Sequence, residues 1–319
     1  MKNRISTGIK FSLLSAMALF LFVSCGALSS LNNVTDGYGG VALNVQGTAP
    51  SVSLSARASG NFISVPVTDV SGAETGTITL REARLVLSEI EFEQDDMEID
   101  TDLEEEQDIE SELELEGPFI VDLLNGTVEP NLPYTELLPG TYTEINLKLN
   151  KIEMDDWEAG DTALVEMTDP LYGNSIYLAG TYTGYLSDFN AVDLEFSFSF
   201  NLDEEFETAA GDFNEGIVID EGVINPILIA FRLSKWFQFD NAERNPDEVD
   251  FTTIYPLSDG DGGHRIVFNE QSINDYAAIS DVIKKNIKES ADYGEDEDLS
   301  GFLESDEDDD PGSEDDDDY

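Results

Sequence analysis

The sequence predicts an antiparallel β-sandwich with one C-terminal amphipathic helix and a disordered acidic tail. Three observations carry that expectation. From residue 41 onward apolar and polar residues alternate at period two, the pattern of strands with one buried face. Turn formers such as Pro139-Gly140, Gly173-Asn174 and Gly211-Asp212 fall between those runs. Helical periodicity is confined to residues 272–290, so packed sheets must supply the core.

Val41, Leu43 and Val45 begin the alternation, and Val52 and Leu54 continue it. Ile78 and Leu80, then Ala83, Leu85 and Leu87, describe a strand whose phase shifts once, as at a bulge. Ile145, Leu147 and Leu149 alternate with Asn146, Lys148 and Asn150. The clearest strand is VDLEFSFSFNL, with Val192, Leu194, Phe196, Phe198, Phe200 and Leu202 on one face. Ile227, Ile229, Phe231 and Leu233 repeat the pattern, with Arg232 opposite. In SINDYAAISDVIKKNIKES, Ser272 and Asp275 are spaced as a capping box. Ile273, Tyr276, Ile279 (or Ser280), Ile283 and Ile287 recur at helical spacing. Lys284, Lys285 and Lys288 lie toward the C-terminal end, where the helix dipole favours cations. The expected helix packs against the sandwich.

The N-terminus carries Lys2, Arg4 and Lys10, an apolar run from Phe11 to Val23, and then Ser24-Cys25-Gly26. A basic region, a short apolar core and small residues at the cut compose a secretory signal. The apolar run is too short to span a bilayer, which takes about 20 residues. FVSC resembles the bacterial lipobox, with Phe22 where Leu is usual. That resemblance implies cleavage before Cys25 and a lipid on its sulfur. It also accounts for the solitary cysteine, which would otherwise be a reactive thiol in an oxidising compartment. Gly26 lacks the acidic side chain that retains some lipoproteins at the inner membrane, which points toward the outer one. The expected organisation is a signal peptide 1–24, a Gly-rich tether 25–40, a sandwich 41–271 with an acidic insertion 91–116, a helix 272–290 and an acidic tail 291–319.

The chain carries a formal charge of −54, and loss of Lys2, Arg4 and Lys10 makes it −57. Such a charge opposes nucleic acid and anionic headgroups and favours cations or cationic partners. Fifteen acids lie between Glu91 and Glu116, and sixteen between Asp292 and Asp318. The first cluster reads as an extended hairpin arm or a disordered loop. Repulsion across paired strands favours a mobile insertion with ordered ends.

Three segments together, ITLREARLVLSEIEFE (78–93), FIVDLLNG (119–126) and LPGTYTEINLKLNKIE (138–153), resemble an uncharacterised bacterial envelope lipoprotein family with a domain of unknown function. The resemblance covers roughly residues 40–200 and implies a β-sandwich without assigned chemistry. The acidic insertion departs from that pattern.

Catalytic groups are scarce. His264, in the turn DGDGGHR, is the single histidine. A triad needs a base beside a nucleophile, so a surface loop histidine is the better reading. A His- or Cys-based zinc or iron site lacks ligands. A carboxylate pair acting on carbohydrate is the alternative function, but 69 acids make any pair unspecific. Trp157 and Trp236 read as core residues more readily than as a sugar platform. The sharpest constellation is DEDLSGFLESDE. Its Asp296, Asp298, Ser300, the carbonyl of Phe302 and Glu307 match the calcium positions of an EF-hand loop, with Gly301 at the sharp turn. No exiting helix can follow, and a solvated acidic tail explains the same residues better. Asp259-Gly260-Asp261-Gly262-Gly263 is a second candidate cation loop, with a plain turn the simpler reading. The expectation is a non-enzymatic, lipid-anchored extracytoplasmic binding or structural protein. Its expected partners are the membrane, through Cys25, and divalent cations such as Ca2+ or a cationic envelope protein.

Overall fold

The computed structural model describes residues 34–35, 37–48, 62–94, 112–153, 164–186, 189–208, 216–258, 264–272 and 275–295. Two sheets face each other across one apolar cluster. The smaller has four strands. β1 (Gly39–Thr48) lies between β6 (Thr135–Leu137) and β12 (Ile224–Arg232), and β15 (Ala291–Glu295) adds to the far edge of β12. The larger sheet has eleven strands and is organised by β3 (Glu74–Gln94). The first half of β3 pairs with β2 (Ile63–Thr68) and β8 (Ile176–Leu186). Its second half pairs with β4 (Glu112–Asp122) and β7 (Gly140–Leu149). β9 (Phe189–Phe200), β14 (His264–Phe268) and β13 (Leu257–Ser258) extend one side. β10 (Glu204–Thr208) and β11 (Ile217–Ile219) pair with β7, and β5 (Thr127–Glu129) pairs with β4.

The mainly-β sandwich read from the alternation is present, with its helix near the C-terminus. Most pairs are antiparallel, but β1–β12 and β9–β14 run parallel. Period-two alternation reports a buried face and is blind to strand direction. β3 shifts phase at two positions, where one was expected. Register breaks between Leu80 and Glu82 and between Leu87 and Glu89 carry the inward set from Ile78 and Leu80 to Ala83, Leu85 and Leu87, and then to Ile90 and Phe92. Each extra residue turns the following side chains over, so one long strand can bend and keep a continuous buried face.

The sheets are pinned together by close backbone approach. The Gly47 N–H donates to the Leu123 carbonyl at 2.8 Å. A Cβ at Gly47 would sit 3.0 Å from the Leu123 carbonyl oxygen and 3.1 Å from Leu123 Cβ, so a side chain there would push the two sheets apart. On the opposite edge the Tyr293 hydroxyl of β15 donates to the Thr143 carbonyl of β7.

Beyond β12 an aromatic layer closes the sandwich. Phe196 packs edge-on against Phe237 at 5.6 Å, and Phe268 links Phe196, Phe251 and Tyr276 at 5.1–6.1 Å. Burying each ring stabilises the fold by about 1.5–3 kcal/mol. α1 (Asp275–Lys288) lays Ile279, Ile283 and Ile287 on this layer, all fully buried. The capping box read at Ser272 and Asp275 falls on residues 273–274 and the Asp275 side chain, which lie outside the described residues. The Ser272 hydroxyl accepts from Asn269 N at 2.9 Å and helps close the turn after β14.

Three boundaries move. The chain enters β1 at Gly39, two residues inside the expected tether. The ends of the acidic insertion, Glu91–Gln94 and Glu112–Glu116, belong to β3 and β4, and the residues between them lie outside those described. The expected tail begins with a strand, because Tyr293 is fully buried and β15 pairs along β12.

Candidate functional site

The outer face of the larger sheet divides into three zones along β3. The first is mainly polar. Ser64, Thr79, Thr181, Glu195, Arg265 and Leu257 form one row across β2, β3, β8, β9, β14 and β13. Arg81 bridges β3 to β8 by donating to Thr181 Oγ1 at 3.1 Å.

The second zone is covered. Val86 and Ile120 pack with Ile152, Val165 and Leu171 in a small cluster separate from the main core. Arg84 fastens this cover, donating from both terminal nitrogens to the two oxygens of Asp169 at 2.9 Å each. The guanidinium also lies 5.4 Å from the Tyr177 ring centre. Burial alone would raise the Asp169 carboxyl. The Arg84 hydrogen bonds, the Leu171 N–H and the Arg84 charge outweigh it, and its pKa lies below the ordinary value.

The third zone is a lattice of glutamates on β4, β3, β7 and β10. Its rows are set by strand register. Glu116, Glu89, Lys148 and Glu205 form one, and Glu114, Glu91 and Asn146 the next. Glu93 and Glu144 form the third. Opposed side chains on paired strands sit about 4.5–5.5 Å apart at Cβ, so like charges there destabilise the sheet. Leu87, Ile90 and Phe92 on the inner face hold β3 in this register regardless.

Lys148 is the one basic residue in these rows. Its ammonium donates to Glu89 at 3.1 Å, and that bond together with the charges of Glu89, Glu205 and Glu114 raises its pKa. Asn146 occupies the equivalent place one row further on. It is 7 % exposed, and its Nδ2 donates to Glu93 Oε1 at 2.6 Å. Its Oδ1 is buried and meets no hydrogen-bond donor. Leaving such an acceptor unsatisfied costs about 1–3 kcal/mol. Ionised carboxylates only accept, so the glutamates of its rows cannot supply the missing donor.

Among the described residues no three His, Cys, Asp or Glu side chains converge into a ready-made metal cage. Cys25, Trp157, the loop 259–263 and the EF-hand-like residues Asp296, Asp298, Ser300, Phe302 and Glu307 all lie outside the described residues. His264 is exposed at the first position of β14, facing Ser258 across the ladder. Trp236 is fully buried, with Nε1 donating to Ser290 Oγ at 2.5 Å, so it is a core residue and cannot form a sugar platform.

The glutamate lattice was present in the sequence only as acidity. Its signal is the alternation Glu89-Glu91-Glu93, Glu112-Glu114-Glu116 and Glu144-Asn146-Lys148. That pattern shows a face only once the register of the strands is known. No protein-family model, curated protein or solved structure matches this chain.

Proposed function

We propose that this chain is a lipid-anchored extracytoplasmic protein of the bacterial envelope, held by lipid on Cys25. It binds cations or a cationic partner through its acidic surface and has no catalytic role. One observation carries the reading: among the described side chains a folded sheet keeps seven glutamates in register on one face against a single lysine. An arrangement that costs stability is favoured where a positively charged ligand offsets the repulsion. The acidic stretch after Glu295 adds to the same charge. The N-terminal signal and lipobox-like FVSC supply the address, with the outer membrane favoured by Gly26.

Two measurements test it. Intact mass of the mature protein should show a chain beginning at a lipid-modified Cys25, and Cys25→Ser should move the protein from the membrane to the soluble fraction. A chain beginning at Met1 overturns the anchor. Calorimetric titration of the full chain with calcium should give a saturable heat. Heat no different from that of polyglutamate overturns the binding role.

A further inference from the structure

We propose that Asn125 is a latent deamidation site, held intact by the carboxylate of Asp122, and that its conversion to aspartate or isoaspartate loosens the joint between the two sheets. The site lies in the turn between β4 and β5, at the other end of β4 from Glu114, and does not depend on whether the lattice binds cations.

The sequence contains one Asn-Gly pair, Asn125-Gly126. Asparagine is a thermolabile residue, and a following glycine leaves the attacking backbone nitrogen without a side chain to shield it. In the reaction the Gly126 nitrogen gives its proton to hydroxide and attacks Asn125 Cγ. The new N–C bond closes a succinimide ring as the Cγ–Nδ2 bond breaks and ammonia leaves. Water then opens the ring at either carbonyl, leaving aspartate or isoaspartate at 125. The turn itself requires the glycine. Gly126 has a φ of +64°, and a Cβ there would stand 3.2 Å from Gln46 Oε1 and 3.3 Å from Gln46 Cβ.

Both reacting groups are held by Asp122. The Gly126 N–H donates to the Asp122 carbonyl at 2.8 Å, and Asn125 Nδ2 donates to Asp122 Oδ2 at 2.6 Å. Asp122 Oδ1 accepts from Leu124 N at 2.9 Å and fixes the turn. Cyclisation has to break the first two bonds, and the one to the carboxylate is charge-assisted. Asn125 is exposed, so hydrogen bonding protects it and burial does not. The product undoes the same turn. Aspartate at 125 sets a second carboxylate where Asp122 had a donor, and isoaspartate adds a methylene to the main chain. Leu123, in this turn, donates its N–H to the Ala83 carbonyl at 2.8 Å and accepts the Gly47 N–H at 2.8 Å. A shift of the turn therefore reaches the contact between the sheets.

Peptide mapping by mass spectrometry, in mildly alkaline buffer, follows deamidation at Asn125 in the folded full chain, in the same chain unfolded by urea, and in Asp122→Asn. That substitution keeps an oxygen for Leu124 N and turns the other acceptor into a donor, so it frees the Asn125 amide alone. Asp122→Ser takes its place if circular dichroism shows Asp122→Asn unfolded. The folded chain should deamidate about tenfold more slowly than the unfolded one, and the Asp122 variant several-fold faster than the folded parent. Equal rates in folded and unfolded chains overturn the protection, and a folded Asp122 variant with the parental rate overturns the part given to Asp122. Thermal melts test the consequence. Asn125→Asp should melt below the parent, and the swap of Asp122→Asn with Asn125→Asp should recover most of the loss, because donor and acceptor are then exchanged. An Asn125→Asp chain that melts with the parent overturns the loosening.

Discussion

Arg84 grips Asp169 with two parallel hydrogen bonds of 2.9 Å, joining the middle of β3 to the segment that covers it. Both side chains are mostly shielded, at 20 % and 24 % exposure. The geometry is bidentate, which makes this pair stronger than an ordinary surface contact. Asp169→Asn is expected to cost about 2 kcal/mol, read as a lower urea midpoint at unchanged slope. The double substitution Arg84→Met with Asp169→Leu should recover part of that loss, since neither charge is then left without its partner.

The same pair predicts a pH dependence. Asp169 has a lowered pKa in the folded chain and an ordinary one when unfolded. Its stabilisation is therefore fully present above the ordinary carboxylate range. It is lost as pH falls through the lower, folded value. Urea midpoints followed from about pH 7 to about pH 2 should fall less steeply in Asp169→Asn than in the parent chain.

The glutamate lattice predicts a response to salt. Repulsion between exposed charges is screened over about 10 Å at 0.1 M ionic strength. Raising sodium chloride should therefore raise the melting temperature. Lys148→Met should lower it at low salt, because Glu89, Glu114 and Glu205 lose the cation among them. That difference should narrow as salt increases. A melting temperature independent of salt would show that the lattice carries no strain.

The end of the fold is testable by truncation. A chain stopped at Glu295 retains Tyr293, which is fully buried and bonded to Thr143. It should melt close to the parent. A chain stopped at Ser290 loses β15, and removing one large buried aromatic alone costs about 3–5 kcal/mol. Ser290→Ala removes the acceptor of the buried Trp236 N–H and is expected to cost about 1–3 kcal/mol.

Much of the fold was legible because burial in a sheet leaves a period of two. Leu194, Phe196, Phe198, Phe200 and Leu202 are all buried as the alternation requires, and so are Ile145, Leu147 and Leu149. Ile279, Ile283 and Ile287 kept the period of a helix and lie in its buried stripe. β15 was missed because ADYGE offers only Ala291 and Tyr293 as inward residues, too short a run to stand out amid acids. Its outward Asp292 faces Arg232 in an ion pair. Such a partner, 60 residues away in sequence, leaves no local trace.

The sequence by itself determined which residues are inward, where the helix runs, and the sign of the charge the protein presents. Those properties follow from local periodicity and composition, which need no knowledge of neighbours. Tertiary structure alone decided strand order, the two parallel pairs and the register that stacks Glu91 beside Asn146. Register comes from contacts between residues far apart in the chain, and a slip of one residue would send the same glutamates into the core. The face they share is therefore a product of pairing, even though every acid in it was plain to read.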